Sequence, residues 1–232
     1  RDAANLAWKL TLVVRNLAAP GLLDSYELER RGHVQRLTAI ANDLGAVIQP
    51  TSSWRAALRD AFFTVVNTVP FGRALFDRYL ATTLHVQPIL QGILVPAASS
   101  LAGHYLVQPI VRSAAGRSAP LDDFLGSGLA VLGYGIDPCT ALPATARATW
   151  QHLEARMLQV TPAGTAPTAG AVEDITGALG AWLQPYDARL LVVRPDRFCA
   201  AHFDLPSAVA VTAAFAQLLG TPDVESAQRS SA

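Results

Sequence analysis

The chain opens with the sequence RDAANLAWKL (residues 1–10), and this stretch decides how the first part of the molecule folds. Apolar side chains recur through residues 3–17 at three- and four-residue spacing, as on one face of an α-helix. Ala4, Trp8 and Leu12 add apolar groups on the other faces. Because a helix that is apolar nearly all round belongs in an interior, we expect this helix to need a partner.

Three more helices are predicted before residue 90. Prolines at positions 20, 50 and 70 separate the apolar patterns from one another. The predicted helices start near residue 22 and run through 44, and then cover 54–65 and 71–80.

Strands and loops are predicted to begin around residue 86, where short apolar runs alternate with proline and glycine. Strands are predicted at 128–134 and 158–161, and a hairpin-like pair of strands at 190–193 and 198–203. Helices are predicted at 145–157, 175–183 and 206–219, and a flexible connector at 161–171. Their order, β-α-β-α-β-β-α, is that of a thioredoxin-like domain. The predicted fold class is therefore α+β, with domains at 1–100 and 101–220 and a flexible tail at 221–232.

Composition argues against several classes of function. Only 16% of the residues are charged and the formal net charge is zero, so nucleic acid is not an expected partner. The longest apolar stretches, 61–69 and 128–136, are well short of the roughly 20 residues that span a bilayer, so we expect no membrane insertion. Cys139 and Cys199 are far apart and form no CxxC, which favours two reduced thiols in a cytoplasmic protein and no metal site. Since the first residue is Arg1 rather than Met, we expect the beginning of the protein to be missing.

Several motifs resemble one family. RDAANLAWKL (1–10) resembles the helix after the second flavin-binding motif in FAD-dependent aromatic-ring hydroxylases of the p-hydroxybenzoate hydroxylase class, and LLDSYELERR (22–31) is similar to that family's next segment. Further motifs resemble the subgroup that hydroxylates 3-(3-hydroxyphenyl)propionate and 3-hydroxycinnamate. They are QP (108–109), LDDFLG (121–126), LGYGIDP (132–138) and VRPDRF (193–198).

This resemblance implies the C-terminal portion of a flavin monooxygenase, with a helical segment of the flavin and substrate domain followed by a thioredoxin-like α/β domain. It implies FAD as cofactor, NAD(P)H as reductant, and transfer of one oxygen atom from O2 to a phenolic ring. The family's phosphate-binding glycine motifs are absent, and the pairs Gly126–Gly128 and Gly133–Gly135 are predicted turns. We therefore expect the chain alone to be inactive, with an N-terminal FAD-binding part as its partner; a homodimer is a further expectation. The alternative is a non-enzymatic thioredoxin-like interaction module.

Candidate cofactor-binding residues lie at the start of the first helix. The resemblance implies that Arg1 approaches the FAD phosphates and that Asp2 accepts a hydrogen bond near the cofactor. The alternative for these two residues is a solvated arginine and a helix-capping carboxylate. Asn5 and Trp8 belong to the same motif and are interpreted as packing residues.

Candidate substrate-binding residues are His85, Gln87 and Gln91, which lie where the chain resembles the segment returning toward the substrate pocket. The sequence departs there from the subgroup, which usually has a basic residue and Pro-x-Pro ahead of an aromatic. Glu29, with the two arginines that follow it, is predicted to form either an ion-pair network or a solvated helix face. No catalytic residue is assigned.

Overall fold

The computed structural model describes residues 2–69, 71–84, 88–89, 91–95 and 101–220 of the 232-residue chain. It divides into two compact units: Arg1–Glu29 together with Pro88–Ala232, and Arg30–Gln87. The fold combines helices with a mixed sheet, so the predicted α+β class is confirmed. The predicted boundary near residue 100 and the thioredoxin-like detail stay predictions.

The first unit begins with helix α1 (Asp2–Val14), a 3-10 turn (Pro20–Leu23) and the start of helix α2 (Asp24–Ile48). Trp8 and Leu12 of α1 are buried in the core, whereas Leu10 and Val14 are 41% and 77% exposed. The helix therefore buries one apolar face and leaves another uncovered among the described residues.

Seven strands form a single sheet in the order β2-β1-β5-β4-β3-β6-β7. Their bounds are β1 (Ile110–Ser113), β2 (Ser118–Pro120), β3 (Ala130–Tyr134), β4 (Arg156–Thr161), β5 (Val172–Asp174), β6 (Leu190–Val193) and β7 (Cys199–Phe203). The central strands β3, β4 and β5 are parallel, and the other pairings are antiparallel. The predicted hairpin at 190–203 is confirmed as β6 and β7.

Helices α5 (Asp122–Leu125), α6 (Pro138–Ala141), α7 (Ala144–His152), α8 (Ala178–Leu183) and α9 (Ala208–Leu219) connect or follow the strands. The helix predicted at 145–157 is too long, because the chain turns at Glu154 with φ 53° and β4 already begins at Arg156. The sequence reading also missed β5, which follows the predicted connector. The turn predicted at Gly133 is wrong, because this residue lies in β3.

The core has two parts because side chains of a strand alternate between the two faces of a sheet. Val131 and Val192 belong to a cluster that also contains Trp8, Trp150 and Phe215. The neighbouring strand residues, including Leu132, Leu191 and Val193, belong to the second cluster, with residues of α5 and α8. The alternating pattern therefore brings α1 and the strand pair β6–β7 into one core.

The second unit contains the rest of α2 with α3 (Ser53–Thr68) and α4 (Gly72–Leu84). Phe63 packs edge-to-face on both Phe62 and Phe76, with ring centroids 5.4 and 5.8 Å apart. No residue of α3 is buried. Side chains of the three helices line an open, mainly apolar cavity of about 660 Å³.

Replacing Trp150 with Phe tests the first core cluster. Trp150 is fully buried, donates a hydrogen bond from Nε1 to Thr212 Oγ1 at 3.0 Å, and packs 5.4 Å from Phe215. Trp150→Phe should lower the free energy of unfolding by about 1–3 kcal/mol, because it removes ring area and leaves a buried hydroxyl without its donor. Urea denaturation measures this. The matched control is Trp54→Phe, at a position 63% exposed; an equal loss in both variants would contradict the prediction.

Candidate functional site

Buried charged side chains from α1 and α2 meet the turn between β6 and β7. Glu29 is the centre: Lys9 Nζ lies 3.0 Å from its Oε2, and Arg194 donates hydrogen bonds of 2.8 and 2.6 Å to its two oxygens. These three side chains are 0% exposed. We call the set of Asn5, Lys9, Glu29, Arg194 and Asp196 the charge cluster.

Asp196 is the second carboxylate of the charge cluster. Arg194 donates to its two oxygens from Nε and Nη2, at 3.0 and 2.7 Å. The amide nitrogen of Asn5 donates to both carboxylates, at 2.6 Å to Glu29 and 2.9 Å to Asp196. With two cations facing two carboxylates, the cluster has no net charge, which is how buried charges are normally tolerated.

Aromatic rings enclose the Arg194 guanidinium. Its central carbon lies 5.1 Å from the Trp8 ring centroid and 5.9 Å from that of Phe198. Lys9 Nζ lies 5.7 Å from the Trp8 ring. Such cation–π contacts stabilise desolvated cations. Trp8 therefore packs in the core and also makes cation–π contacts with both cations of the charge cluster.

A tight turn presents Arg194 and Asp196 together. The backbone N–H of Arg194 donates to Phe198 O, and that of Arg197 donates to Arg194 O, both at 2.9 Å. Arg197 has a left-handed φ of 68°, which closes the turn between β6 and β7. The VRPDRF motif thus becomes a hairpin turn whose first arginine and aspartate face the same partners.

The helical side of the charge cluster follows from helix periodicity. Asn5 and Lys9 are four residues apart and so lie on one face of α1. Glu29 also accepts a hydrogen bond of 2.9 Å from the backbone N–H of Ile93. Gly92 has φ 113°, and a Cβ there would collide with the Glu29 side chain. The segment at 92–93 therefore closes over Glu29 only because position 92 is glycine.

The charge cluster shifts the pKa values of its members. Burial raises the pKa of Glu29, but the hydrogen bonds and charge of Arg194 outweigh burial and lower it below the usual value. Burial lowers the pKa of Lys9, against the opposing effect of Glu29. For Arg194, burial lowers the pKa, yet Asp196 and Glu29 together raise it above the usual value. Glu29 and Arg194 are thus held in their charged forms.

The N-terminal end of α1 offers hydrogen-bonding groups. Residues 2–4 of α1 are exposed. Behind this turn, Asn5 Oδ1 and Trp8 Nε1 are buried and have no hydrogen-bond partner among the residues that the structure describes.

The predicted site residues are only partly described. Asp2 lies in the exposed first turn of α1, and Gln91 is exposed. Arg1, His85 and Gln87 lie outside the described residues. Their roles stay predictions. The structure instead brings together Asn5 and Trp8, which were interpreted as packing residues, with Arg194 of the VRPDRF motif and with Glu29. Of the two alternatives predicted for Glu29, the structure shows the ion pairs and not a solvated helix face.

The two cysteines lie in different surroundings. Cys139 is exposed in α6, where its backbone N–H donates to Asp137 Oδ1 at 2.9 Å; burial and the Asp137 carboxylate raise the pKa of its thiol. Cys199 is buried in β7, and burial raises its pKa to about 12. Both thiols are therefore protonated at neutral pH, which makes them poor nucleophiles.

Metal ligation and membrane insertion find no support in the part of the chain that the structure describes. They contain no group of three or more His, Cys, Asp or Glu side chains arranged to hold a metal ion. None of the helices within the described ranges is long and apolar enough to cross a membrane.

Two family models match the chain. Residues 1–41, which include α1 and Glu29, match the model of an FAD binding domain. Residues 103–218, half of the chain, match the model of the HcaD C-terminal domain and include Arg194 and Asp196. The charge cluster therefore takes members from both matched regions.

Relatives and solved structures agree with these matches. A 3-(3-hydroxy-phenyl)propionate/3-hydroxycinnamic acid hydroxylase of Burkholderia cenocepacia (strain HI2424) is 36% identical over 226 residues, covering 93% of this chain and 41% of the relative. The chain thus spans about two fifths of that relative's length. In fold, the chain is similar to the flavin-dependent monooxygenase PieE, solved with FAD and substrate, with a TM-score of 0.65 and 20% identity over 95% of this chain and 44% of PieE. It is also similar to aklavinone-11 hydroxylase, solved with FAD and aklavinone, with a TM-score of 0.62 and 19% identity over 94% of this chain and 39% of that hydroxylase.

The C-terminal match is the one that assigns the family. It covers β1–β7 and nearly all of α9, and the relatives carry the hydroxylase names that the motifs at 1–10, 22–31 and 193–198 predicted. The chain therefore belongs to the family of the HcaD C-terminal domain, within the FAD-dependent aromatic-ring hydroxylases.

Proposed function

We propose that this chain is part of an FAD-dependent monooxygenase that hydroxylates a phenolic ring with NAD(P)H and O2. One oxygen atom enters the ring and the other leaves as water, with NAD(P)H oxidised to NAD(P)+. The observation that carries the proposal is the exposed first turn of α1, held from behind by the charge cluster. The proposed substrate class follows the hydroxylase relatives, so 3-(3-hydroxyphenyl)propionate is the first compound to test.

FAD, when bound, carries electrons from NAD(P)H to oxygen, and the chain supplies its surroundings. We assign the exposed start of α1, residues 2–4, to a contact with the pyrimidine edge of the flavin. Asp2 and Arg1 are proposed cofactor contacts, with Arg1 directed to the phosphates. His85, Gln87 and Gln91 are proposed substrate contacts.

The proposed partner is an N-terminal FAD-binding part of the same enzyme, located in the cytoplasm. Its binding supplies the phosphate-cradling loops and covers the exposed apolar side of α1, represented by Leu10 and Val14. The alternative, a non-enzymatic thioredoxin-like interaction module, is not favoured because residues 1–41 match an FAD binding domain.

A homodimer through the second unit is also proposed. Large apolar side chains of α2, α3 and α4 are between 43% and 66% exposed, and exposed apolar patches of this kind mark interfaces. They include Leu44, Val47, Trp54, Leu58, Phe62, Val65, Leu75 and Tyr79. We assign this surface, which includes the half-exposed ring of Phe62, to a second copy of the chain.

The first prediction from the proposed function concerns FAD binding. Residues 1–232 alone should bind FAD with a dissociation constant above about 1 μM, because one helix N-terminus contributes only about 1 kcal/mol. Co-expression with the N-terminal part should give a yellow enzyme. That enzyme should oxidise NAD(P)H when the phenolic acid is added and transfer one atom of isotopically labelled O2 to it.

Equilibrium dialysis and product mass spectrometry check these outcomes. Submicromolar FAD binding by residues 1–232 alone would contradict the proposed division of the enzyme. A colourless co-expressed complex, or one that leaves the phenolic acid unchanged, would contradict the proposed function.

The second prediction concerns the thiols. The double variant Cys139→Ser/Cys199→Ala should turn over the phenolic substrate at nearly the wild-type rate, because both thiols are protonated at neutral pH. NAD(P)H-coupled product formation in the FAD-loaded enzyme measures this. Circular dichroism is the control for folding; a large loss of turnover in a folded double variant would refute the prediction.

The third prediction concerns the dimer. Phe62→Glu should weaken dimerisation at least about tenfold, because it places a charge on the proposed apolar interface. Thr64→Glu is the matched control, since it adds the same charge to an exposed position of α3 on another face of the helix. Sedimentation velocity over a concentration series measures both. A monomeric wild type, or equal dimerisation of the two variants, would rule out this interface.

A further inference from the structure

The charge cluster joins two parts of the chain that belong to separate family models. Asn5, Lys9 and Glu29 lie in the region matched by the FAD binding domain, and Arg194 and Asp196 lie in the HcaD C-terminal domain. Every contact of Arg194 with Glu29 therefore crosses from one matched region to the other. Neither match assigns a role to this connection.

Arg194 makes this connection with its whole guanidinium group. Nη1 and Nη2 face the two oxygens of Glu29, while Nε and Nη2 face Asp196. Nη1 also donates to the carbonyl of Ile93 at 3.4 Å. A planar fork can hold two carboxylates at once, whereas a lysine ammonium acts as a point charge and cannot reproduce this geometry.

The connection continues to the first turn of α1 through Asn5. Its amide nitrogen contacts both carboxylates that Arg194 holds, and Asn5 follows directly after the exposed residues 2–4. Lys9, one turn later on the same face, contacts Glu29 as well. Two points of α1 are therefore fixed against carboxylates whose own positions depend on Arg194.

Stability alone is a poor explanation for this arrangement. Burying charges costs desolvation free energy, and well-packed apolar residues often replace a buried ion pair without loss of stability. Charges and hydrogen bonds fix the position of their partners more specifically than apolar packing does. Here they fix the position of the N-terminal half of α1.

We infer that Arg194 is a positioning residue through which the C-terminal domain sets the place of the first turn of α1 against FAD. This inference rests on the proposed function, in which that turn faces the flavin. Arg194 is fully buried, so we do not assign it a cofactor contact. It acts through Glu29, Asp196 and Asn5, so the flavin surroundings depend on a residue from the other end of the chain.

The test uses the FAD-loaded enzyme that contains this chain, with Arg194→Lys as the main variant. We expect FAD to bind at least about fivefold more weakly, the lower end of typical coupling between sites. The visible absorbance bands and midpoint potential of the bound flavin should also shift. These spectroscopic and redox readouts report on the flavin surroundings rather than on folding.

A second variant, Lys9→Met/Glu29→Gln, covers the case in which Arg194→Lys fails to fold. It removes one positive and one negative charge together and leaves the pairing of Arg194 with Asp196 in place. Because it also loosens α1 from Arg194, it should shift the flavin bands and weaken FAD binding in the same direction.

Two controls separate positioning from general destabilisation. Arg117→Lys changes an exposed arginine of the C-terminal domain that pairs with Asp123 at 3.0 Å. Leu179→Ala destabilises the second core cluster without touching the charge cluster. Both should keep the wild-type flavin spectrum and FAD affinity, although Leu179→Ala lowers the melting temperature.

The outcomes distinguish the inference from the proposed function. In one outcome, the wild type binds FAD and hydroxylates the phenol, and the folded cluster variants keep its FAD affinity, flavin absorbance bands and midpoint potential. That result overturns the positioning role and leaves the proposed function standing. The positioning role is also overturned if Leu179→Ala shifts the flavin as much as the cluster variants do. If the wild type binds no FAD, the proposed function fails and the inference fails with it.

Discussion

The pairing of Glu29 with Arg194 is the constraint on which the first unit depends. Both side chains are fully buried, so neither can be left without the other at a tolerable cost. Lys9 and Asp196 balance the charge, and the amide nitrogen of Asn5 donates a hydrogen bond to each carboxylate. It fixes α1, the first residues of α2 and the β6–β7 turn relative to one another within this unit.

Much of the fold is predictable from local patterns. The spacing of apolar residues predicts α1 through α4, and the short apolar runs with turns between them predict β3, β6 and β7. Such patterns fail at boundaries. The helix expected to continue to residue 157 ends at His152, because the backbone conformation of Glu154 starts a strand two residues later. β5 has three residues, too few to show a period.

The site was less predictable than the fold, and the reason is separation along the chain. Glu29 and Arg194 are 165 residues apart, and periodicity says nothing about such a pair. Asn5 and Trp8 look like ordinary packing residues until the β6–β7 turn is seen beside them. The motifs at 22–31 and 193–198 were separately visible, and only the folded chain shows that they are partners.

The same separation affects how the chain folds during synthesis. Ribosomes add roughly 5–20 residues per second, so Arg194 emerges roughly 10–30 s after Glu29. During this interval the carboxylate has no guanidinium partner and stays hydrated, which keeps α1 and α2 from closing into their final core. The packing of α1 against the start of α2 is therefore completed only when the β6–β7 hairpin arrives, and until then these helices are exposed to chaperones and proteases.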